Sequence, residues 1–197
     1  MPARPRRVGL LGGSFDPPHE GHLWMARRAR EALDLDEVWL LPAHRPPHKS
    51  GERLAPYPAR LAMTELLAAE EPFLSVCRVE EELPAPGYTA RTLEALSQRE
   101  GDGVRFTFIL GEDSLANLEN WFEPDRVFAL AEVAVLAREG FEAESDRPLR
   151  WIRGETHPAQ STRIRAQLRR GERPGHLPAP VLDYLLGEGL YAGEEGP

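Results

Sequence analysis

Two histidines three residues apart, His19 and His22, stand near the start of the chain in a stretch rich in glycine and proline, residues 8–23. Imidazole groups donate hydrogen bonds to phosphate oxygens and stabilise the charge that builds up on a transferring phosphoryl group. The stretch holds no cysteine, and its only carboxylates are those of Asp16 and Glu20. We therefore interpret the two histidines as electrostatic catalysts rather than metal ligands.

The pattern around these histidines predicts a strand, a glycine loop and a helix. The apolar run at residues 8–11 predicts a buried strand, Gly12 and Gly13 interrupt it, and a helical pattern begins near Glu20. Glycines let the backbone bring N–H groups close to an anion, and the first turn of a helix adds unpaired N–H donors. The stretch thus predicts a phosphate-binding loop, and the alternative is an ordinary tight turn with a capping histidine.

Further along the chain, apolar segments of strand length alternate with amphipathic helical patterns. Strands are predicted at residues 8–11, 37–41, 73–79, 104–110, 132–137 and 149–152, and helices at about residues 20–35, 58–70, 90–99, 161–170 and 179–186. This alternation predicts a Rossmann-like α/β fold, a doubly wound and mainly parallel sheet with helices on both faces. Ligands of such sheets bind beyond the carboxyl ends of the strands, where the glycine loop also opens.

Local sequence patterns predict which side chains are buried and which are exposed. The three consecutive glutamates at residues 80–82 predict a solvated acidic turn, and Cys77, in an apolar alternating segment, is expected to be buried. The core face of the first helix is predicted to carry Leu23, Ala26, Ala29, Ala32 and Leu33.

The composition is that of a globular protein with one substantial core, since 41% of the 197 residues are hydrophobic and 28% are charged. We expect one domain over residues 1–192 and a frayed tail at residues 193–197. No apolar run is long enough to span a membrane and no signal region precedes the first strand, so a cytoplasmic protein is expected. The net charge of −8 argues against general nucleic-acid binding.

The loop after the second predicted strand, residues 42–49, is stiffened by three prolines and carries Lys49. A lysine there supplies a flexible point charge for phosphate. The spacing of His44 and His48 suits metal chelation on a helix, but the prolines disfavour a helix. A surface loop without substrate contacts is the alternative.

Aromatic and polar residues follow two other strands. Tyr88 can stack on a planar ring, and Thr89 is suited to cap the next helix. Beyond the strongest strand, Gly111 precedes Asp113, whose carboxylate can accept hydrogen bonds from ribose hydroxyls or cap a helix. Trp121 is interpreted either as a core residue or as a ligand contact.

A second candidate anion site lies at the start of the predicted helix at residues 161–170. Ser161 or Thr162 can cap this helix, while its free N–H groups, the hydroxyls and Arg165 converge on one anion. Eight arginines but only two acidic residues lie between residues 147 and 173, which suits a polyanionic small ligand in an acidic protein. A solvated, capped helix is the alternative.

Two phosphate-binding elements on one sheet indicate a class of mechanism. No serine, cysteine or lysine nucleophile is predicted beside a base. We therefore expect direct in-line displacement between two bound substrates, without a covalent intermediate.

Residues 12–22, GGSFDPPHEGH, resemble the signature of nucleotidylyltransferases with a histidine-x-glycine-histidine motif, most closely the nicotinate-nucleotide adenylyltransferases. Further motifs of this family are matched in the expected order by Lys49 in its loop, Tyr88 and Thr89, Gly111 and Asp113, Trp121, and the segment 161–165. Gly87 and Gln160 depart from the family pattern, which has serine at both positions.

The resemblance implies adenylyl transfer from ATP to nicotinate mononucleotide in NAD biosynthesis, which gives deamido-NAD and pyrophosphate. The implied catalytic residues are His19, His22, Lys49 and Arg165. The implied ATP-binding residues are Gly12, Gly13, Ser14, Phe15, His22, Gly111, Asp113, Ser161, Thr162 and Arg165. The implied substrate-binding residues are Asp16, His48, Lys49, Tyr88, Thr89 and Trp121.

The resemblance also implies which cofactors and partners to expect. Mg²⁺ is expected to be carried by the ATP phosphates, because Asp16 and Asp113 do not make a dedicated cage. No protein-bound metal, nucleic acid or membrane partner is predicted, and a homodimer is compatible with the sequence. The alternative functions are adenylyl transfer to nicotinamide mononucleotide or phosphopantetheine, and a non-catalytic nucleotide sensor that need not keep both histidines and Arg165.

Overall fold

A computed structural model describes residues 4–46, 54–115, 118–141 and 145–193, and its strands form one six-stranded sheet. The strands are β1 (Arg6–Gly13), β2 (Glu37–Pro42), β3 (Leu74–Val76), β4 (Val104–Gly111), β5 (Glu132–Arg138) and β6 (Leu149–Gly154). Every neighbouring pair is parallel. Parallel strands need long crossover connections, which the helices between them supply.

The order of the strands in the sheet is β3-β2-β1-β4-β5-β6. The chain therefore moves outward from β1 to β3, returns to the other side of β1 as β4, and moves outward again. The carboxyl ends of β1 and β4 thus border the point where the direction of winding reverses. In open α/β sheets this is where ligands bind, and here β1 ends in Gly12 and Gly13.

The helices cover both faces of the sheet. They are α1 (Glu20–Leu33), α2 (Tyr57–Ala68), α3 (Thr89–Glu100), α4 (Glu112–Leu115), α5 (Pro124–Leu130), α6 (Ser161–Arg169) and α7 (Ala179–Gly187), with short 3-10 turns at Val79–Glu81, Gly101–Gly103 and Leu118–Asn120. Apolar residues of α1, α2, α6 and α7 share one core cluster, and those of α3 and α5 share another. The predicted doubly wound α/β fold is confirmed.

The central strand shows how the sequence separates these two cores. Val8 and Leu10 belong to the cluster with α3 and α5, and Leu11 belongs to the cluster with α1. Gly9 points to the same face as Leu11, because side chains alternate along a strand. A Cβ added at Gly9 would lie 2.7 Å from the Leu35 side chain, so the sheet and the connection after α1 approach too closely there for any larger residue.

Several local predictions differ from the structure. The third strand is only three residues long, Ala32 is exposed, and Cys77 is half-buried. Glu80 is buried, in contrast to its exposed neighbours Glu81 and Glu82, because its carboxylate accepts hydrogen bonds within the protein. A helix was expected to follow Gly111, and α4 forms there, whereas α5 was not predicted, since its segment is short and carries Pro124 and Asp125.

Other expectations concern parts of the chain beyond the described residues. His48 and Lys49 fall in the segment 47–53, and most of the expected tail, residues 194–197, is likewise outside the described part. Among the described residues, no helix combines the length and the apolar composition that crossing a membrane requires.

Candidate active site

The segment from the end of β1 through the first three residues of α1, residues 14–22, is called the histidine loop below. His19 precedes the first residue of α1 with an extended backbone, and its N–H donates to Nδ1 of His22 over 3.1 Å. The centroids of the two imidazole rings are 3.9 Å apart. The predicted placement of both histidines at the first turn of one helix is therefore what the structure shows.

The ring of His22 is held from two sides. Its centroid is 4.8 Å from the ring centroid of Phe15, which is buried. The backbone of Phe15 has a φ of 48°, a value that residues other than glycine rarely adopt. Because Nδ1 accepts the His19 N–H, the proton of the neutral ring is on Nε2. Nε2–H is thus the donor that His22 can offer to a phosphate oxygen.

Both histidines are neutral at physiological pH. Burial, and next the neighbouring His22, lower the pKa of His19 to about 2, and burial lowers the pKa of His22 to about 4. A cationic imidazole would lose its hydration in this covered position, which favours the uncharged ring. The histidines therefore contribute hydrogen-bond donors and dipoles rather than full positive charges.

Gly21 is the residue that lets the loop close around His19. A Cβ built at Gly21 would lie 2.9 Å from Nδ1 of His19 and 3.4 Å from the carbonyl oxygen of Ala159. Since Ala159 lies just before α6, any side chain at this position would press on both halves of the site. The glycine of the histidine-x-glycine-histidine motif is explained by this close approach.

Helix α6 contacts the histidine loop directly, although the two are far apart in sequence. Oγ of Ser161 donates to the carbonyl oxygen of Pro17 over 2.9 Å, and Nη1 of Arg165 donates to the carbonyl oxygen of Asp16 over 2.5 Å. The sequence-predicted anion sites around His19 and Arg165 are thus brought together. Thr162, the other predicted hydroxyl, is exposed.

The predicted caps of two helices are wrong. Gln160, with an extended backbone and no side-chain cap bond, occupies the N-cap of α6, because the Ser161 hydroxyl is engaged with Pro17. At α3, Tyr88 is the N-cap and Thr89 is the first helical residue, again without a side-chain cap bond.

Asp16 lies inside the protein. Its side chain is 0% exposed, and Oδ1 accepts the N–H of Ala55 over 3.0 Å and the hydroxyl of Tyr191 over 2.7 Å. Oδ2 lies 3.4 Å from Nη1 of Arg165. Oδ2 has no hydrogen-bond partner among the described residues, and the predicted contact of this carboxylate with substrate stays a prediction. Its position fixes Arg165, and Tyr191 supports it from the end of the described chain.

Arg60 was missed by the sequence analysis and holds two loops of the site. The residue is 2% exposed, and its guanidinium donates to the carbonyl oxygens of Ser14 over 2.7 Å, Ala43 over 2.9 Å and Ala55 over 3.1 Å. These oxygens belong to the loops after β1 and β2 and to the segment before α2. The only signal in the sequence is an arginine within an apolar helical pattern.

A cavity of about 270 Å³ opens beside the ends of β1 and β4 and is called the aromatic cavity below. Its lining includes six of the sequence-predicted site residues, Gly12, Gly13, Ser14, Tyr88, Thr89 and Trp121. The glycine loop and the aromatic residues after β3 and β4 thus line the same cavity. Volumes of this order accommodate part of a small ligand rather than a whole dinucleotide.

The aromatic wall is held mainly by ring contacts. Tyr88 stacks on Phe122 with centroids 4.4 Å apart, and the Arg91 guanidinium lies 5.3 Å from the Tyr88 ring. Trp121 packs edge-on to Phe108 at 5.9 Å. Phe122, which is 37% exposed, was not predicted as a site residue, because only its pairing with Tyr88 reveals it.

Gly87 faces a buried carboxylate at the floor of this cavity. Glu80 accepts the N–H of His44 over 3.0 Å and the hydroxyl of Thr92 over 3.3 Å. Burial raises the pKa of Glu80, and these two bonds oppose that rise. A Cβ at Gly87 would lie 2.5 Å from Oε2 of Glu80, so serine, which the family pattern has here, requires the carboxylate to move.

The carboxyl end of β4 leads into α4, where the predicted ATP contacts of Gly111 and Asp113 stay predictions. Gly111 is half-buried, Asp113 is exposed on α4, and the neighbouring Glu112 accepts the N–H of Arg138 over 2.9 Å. Within the described residues, neither Asp16 nor Asp113 belongs to a group of three metal-ligating side chains. Since Mg²⁺ is usually held by one or two carboxylates together with substrate phosphates, the expectation that ATP carries the ion stays a prediction.

A broader depression of about 1,090 Å³ lies at the opposite edge of the sheet, where Val104, Glu132 and Leu149 begin their strands. None of the sequence-predicted site residues lines it. Its position at the amino ends of the strands is unlike that of ligand sites in parallel sheets.

The two predicted residues His48 and Lys49 lie outside the described residues, so their roles stay predictions.

The chain matches known proteins over most of its length. A family model described as cytidylyltransferase-like matches residues 10–167. A probable nicotinate-nucleotide adenylyltransferase of Anaeromyxobacter sp. (strain K) is 43% identical over 192 residues, which are 95% of this chain and 98% of the relative. A protein of Shewanella pealeana with the same name is 35% identical over 95% of this chain and 97% of its own.

Solved structures show the same fold. The nicotinic acid mononucleotide adenylyltransferase of Plasmodium falciparum, complexed with NaAD, is similar with a TM-score of 0.77 over 94% of this chain and 97% of that chain. The two sequences are 16% identical, so this likeness concerns the fold.

Proposed function

Because this chain belongs to the nicotinate-nucleotide adenylyltransferases, within the cytidylyltransferase-like family, we propose that it transfers the adenylyl group of ATP to nicotinate mononucleotide. The products are deamido-NAD and pyrophosphate, and the reaction is a step of NAD biosynthesis. The observation that supports this most strongly is the direct contact of α6 with the histidine loop, through Ser161 to Pro17 and Arg165 to Asp16. Two elements suited to phosphate meet there beside the aromatic cavity.

We assign the phosphates of ATP to the junction of the histidine loop with α6. The backbone of Gly12 and Gly13, Nε2–H of His22 and the guanidinium of Arg165 supply donors and charge for them. Arg165 is 12% exposed and held by Asp16, so little side-chain entropy is lost when it binds an anion. His19 fixes the ring of His22 and adds a second imidazole to the same turn.

The acceptor is assigned to the aromatic cavity. The ring of nicotinate mononucleotide is an aromatic plane, and Trp121 and Tyr88 present aromatic surface there. Thr89 also lines the cavity and offers a hydroxyl. Lys49 and His48 are proposed to contact the acceptor phosphate, from the loop that follows β2.

The chemical step is a direct displacement. A phosphate oxygen of nicotinate mononucleotide attacks the α-phosphorus of ATP and forms a new P–O bond, while the bond between the α-phosphorus and the bridging oxygen breaks and pyrophosphate leaves. Charge shifts toward the leaving oxygens in the transition state. Donors fixed in advance stabilise that charge without reorganising, which is the role proposed for His22, Lys49 and Arg165.

The proposed metal, cellular compartment and domain organisation follow from the same assignment. Enzymes that transfer nucleotidyl groups use a divalent metal, and we propose Mg²⁺ bound to ATP as the substrate form, since the described carboxylates do not build a cage. We further propose a cytoplasmic enzyme with one domain over residues 1–192. The oligomeric state stays a prediction.

The test is pyrophosphate release from Mg-ATP with nicotinate mononucleotide, nicotinamide mononucleotide or phosphopantetheine as acceptor. We expect the highest kcat/KM with nicotinate mononucleotide, and His22→Ala serves as the control with strongly reduced turnover. A preference for another acceptor would keep the chemistry and correct the substrate. If the protein binds ATP but releases no pyrophosphate with any of the three acceptors, the interpretation as a nucleotide sensor would replace that as an enzyme.

A further inference from the structure

Three metal-ligating side chains from distant parts of the chain meet on the outer side of the histidine loop. Glu20 begins α1, His157 lies between β6 and α6, and His176 lies between α6 and α7. Oε2 of Glu20 is 3.2 Å from Nδ1 of His176 and 3.8 Å from Nε2 of His157. All three ligand atoms lie within 4.8 Å of one another.

These distances are close to those of a zinc site. Zinc bonds to imidazole nitrogen and carboxylate oxygen are about 2.0–2.1 Å, which places the ligand atoms of a tetrahedral site about 3.3 Å apart. The pair of Glu20 and His176 already has this spacing, and Nε2 of His157, 3.8 Å from Glu20 and within 4.8 Å of the His176 ligand atom, must move closer to both. One carboxylate with two neutral imidazoles carries a charge of −1, which favours a divalent cation.

The backbone around the three side chains is fixed without an ion. The N–H of Glu20 donates to the carbonyl oxygen of His176 over 3.0 Å, which joins the start of α1 to the segment after α6. His176 has a φ of 63°, a left-handed conformation that costs free energy outside glycine. Backbone strain of this kind, at a residue beside two potential ligands, is often found at functional sites.

One hydrogen bond must change when an ion binds. Nδ1 of His157 accepts the N–H of Ala159 over 3.2 Å, so the neutral ring carries its proton on Nε2. A metal at Nε2 requires the proton on Nδ1, and this bond is then lost. A single hydrogen bond contributes far less free energy than the binding of a structural zinc ion.

We propose that Glu20, His157 and His176 form a binding site for a divalent transition-metal cation, with zinc as the fitting member of the class. The ion clamps α1 to the segments on both sides of α6, and so holds together the two elements that form the phosphate site. The three protein ligands leave a fourth position for water. The site is independent of the magnesium that accompanies ATP, because its imidazole ligands suit zinc, cobalt or nickel rather than magnesium.

The experiment uses the full chain after treatment with a chelator. Titration with Co²⁺, followed by visible absorption, reports tetrahedral coordination, and calorimetry with Zn²⁺ gives stoichiometry and affinity. We expect one equivalent of Zn²⁺ to bind and to raise Tm. Affinity should fall at least tenfold in His157→Gln, His176→Gln and Glu20→Gln, and remain unchanged in the matched control His44→Gln, since His44 is outside the cluster.

Folding of the variants is checked by Tm in the presence of chelator, where His176→Gln should equal the wild type because the side chain is 49% exposed. If His157→Gln does not fold, His176→Gln and Glu20→Gln decide the result. Absence of Zn²⁺ binding by the wild type, or unchanged affinity in those two folded variants, would overturn the proposal. Loss of binding in His44→Gln alone would do the same, because the ion would then lie elsewhere.

Discussion

The histidine loop and the aromatic cavity lie side by side at the same edge of the sheet, but they are held in different ways. In the histidine loop the side chains of Phe15, Asp16 and His19 are buried, and their positions are fixed by backbone hydrogen bonds and by contacts with α6. In the aromatic cavity Tyr88 and Phe122 are half-buried or exposed and are held by ring stacking.

This difference corresponds to two tasks. Stabilising a transition state requires donors that do not move, whereas accepting a planar ligand requires a surface that a few side chains can reshape. We therefore expect changes in the histidine loop to lower turnover for every acceptor, and changes in the aromatic cavity to alter the discrimination between acceptors.

The largest effect is expected from His22→Ala. Loss of a fixed donor in a transition state lowers kcat by about two to four orders of magnitude, while the Kd of ATP changes by no more than a few-fold. Steady-state kinetics gives the first quantity and calorimetry gives the second. A normal kcat would remove His22 from the mechanism, and a lost ATP affinity would make it a binding residue.

Arg60→Ala should produce the next largest effect, on stability. The substitution removes the donor shared by the carbonyl oxygens of Ser14 and Ala43 from a side chain that is 2% exposed, which costs about 3 kcal/mol of unfolding free energy. Urea denaturation measures this loss. The matched control is Arg27→Ala, which removes a surface ion pair with Glu71 and should cost less than about 1 kcal/mol. Equal losses in the two variants would contradict the role given to Arg60.

Gly21→Ala should lower kcat about tenfold, because the new Cβ displaces the His19 imidazole, 2.9 Å away. Gly187→Ala, at the last residue of α7, is the control. No atom lies within 4 Å of its added Cβ, so it should retain full activity and gain up to about 1 kcal/mol in stability. Unchanged kcat in Gly21→Ala would show that the loop tolerates a larger residue.

Gly87→Ser is expected to have the smallest effect. The added side chain must displace the Glu80 carboxylate from its bonds to His44 and Thr92, which should raise the KM for the acceptor about threefold with little change in kcat. Gly103→Ser, which meets no atom within 4 Å, should behave as the wild type. A lower KM would indicate that the serine adds a substrate contact.

The sequence predicted the parts of the site that depend on neighbouring residues. His19 and His22 share one helical turn, and Gly12 and Gly13 end a strand, so local periodicity was sufficient to place them. The doubly wound arrangement also followed from the alternation of helix and strand patterns, whereas the order of the strands in the sheet came only from the structure. Arg165 was predicted through its motif, and its contact with Asp16 required the fold.

The residues that were missed act through contacts between distant segments. Arg60 lies in an apolar helix, and nothing local distinguishes its inward side chain from a surface arginine. Tyr191 reaches Asp16 from beyond α7, and Glu80 is buried within an acidic run that predicts exposure. The grouping of Glu20 with His157 and His176 was likewise not predicted, because the three come together only in the folded chain.

The measurement that tests this division of tasks most directly is the ratio of kcat/KM for nicotinate mononucleotide over nicotinamide mononucleotide in His22→Ala and Trp121→Ala. The account predicts that His22→Ala lowers kcat/KM for both acceptors by the same factor and so keeps the wild-type ratio. Trp121→Ala should change the ratio at least threefold, because it alters the KM values of the two acceptors unequally. A changed ratio in His22→Ala together with an unchanged ratio in Trp121→Ala would contradict it.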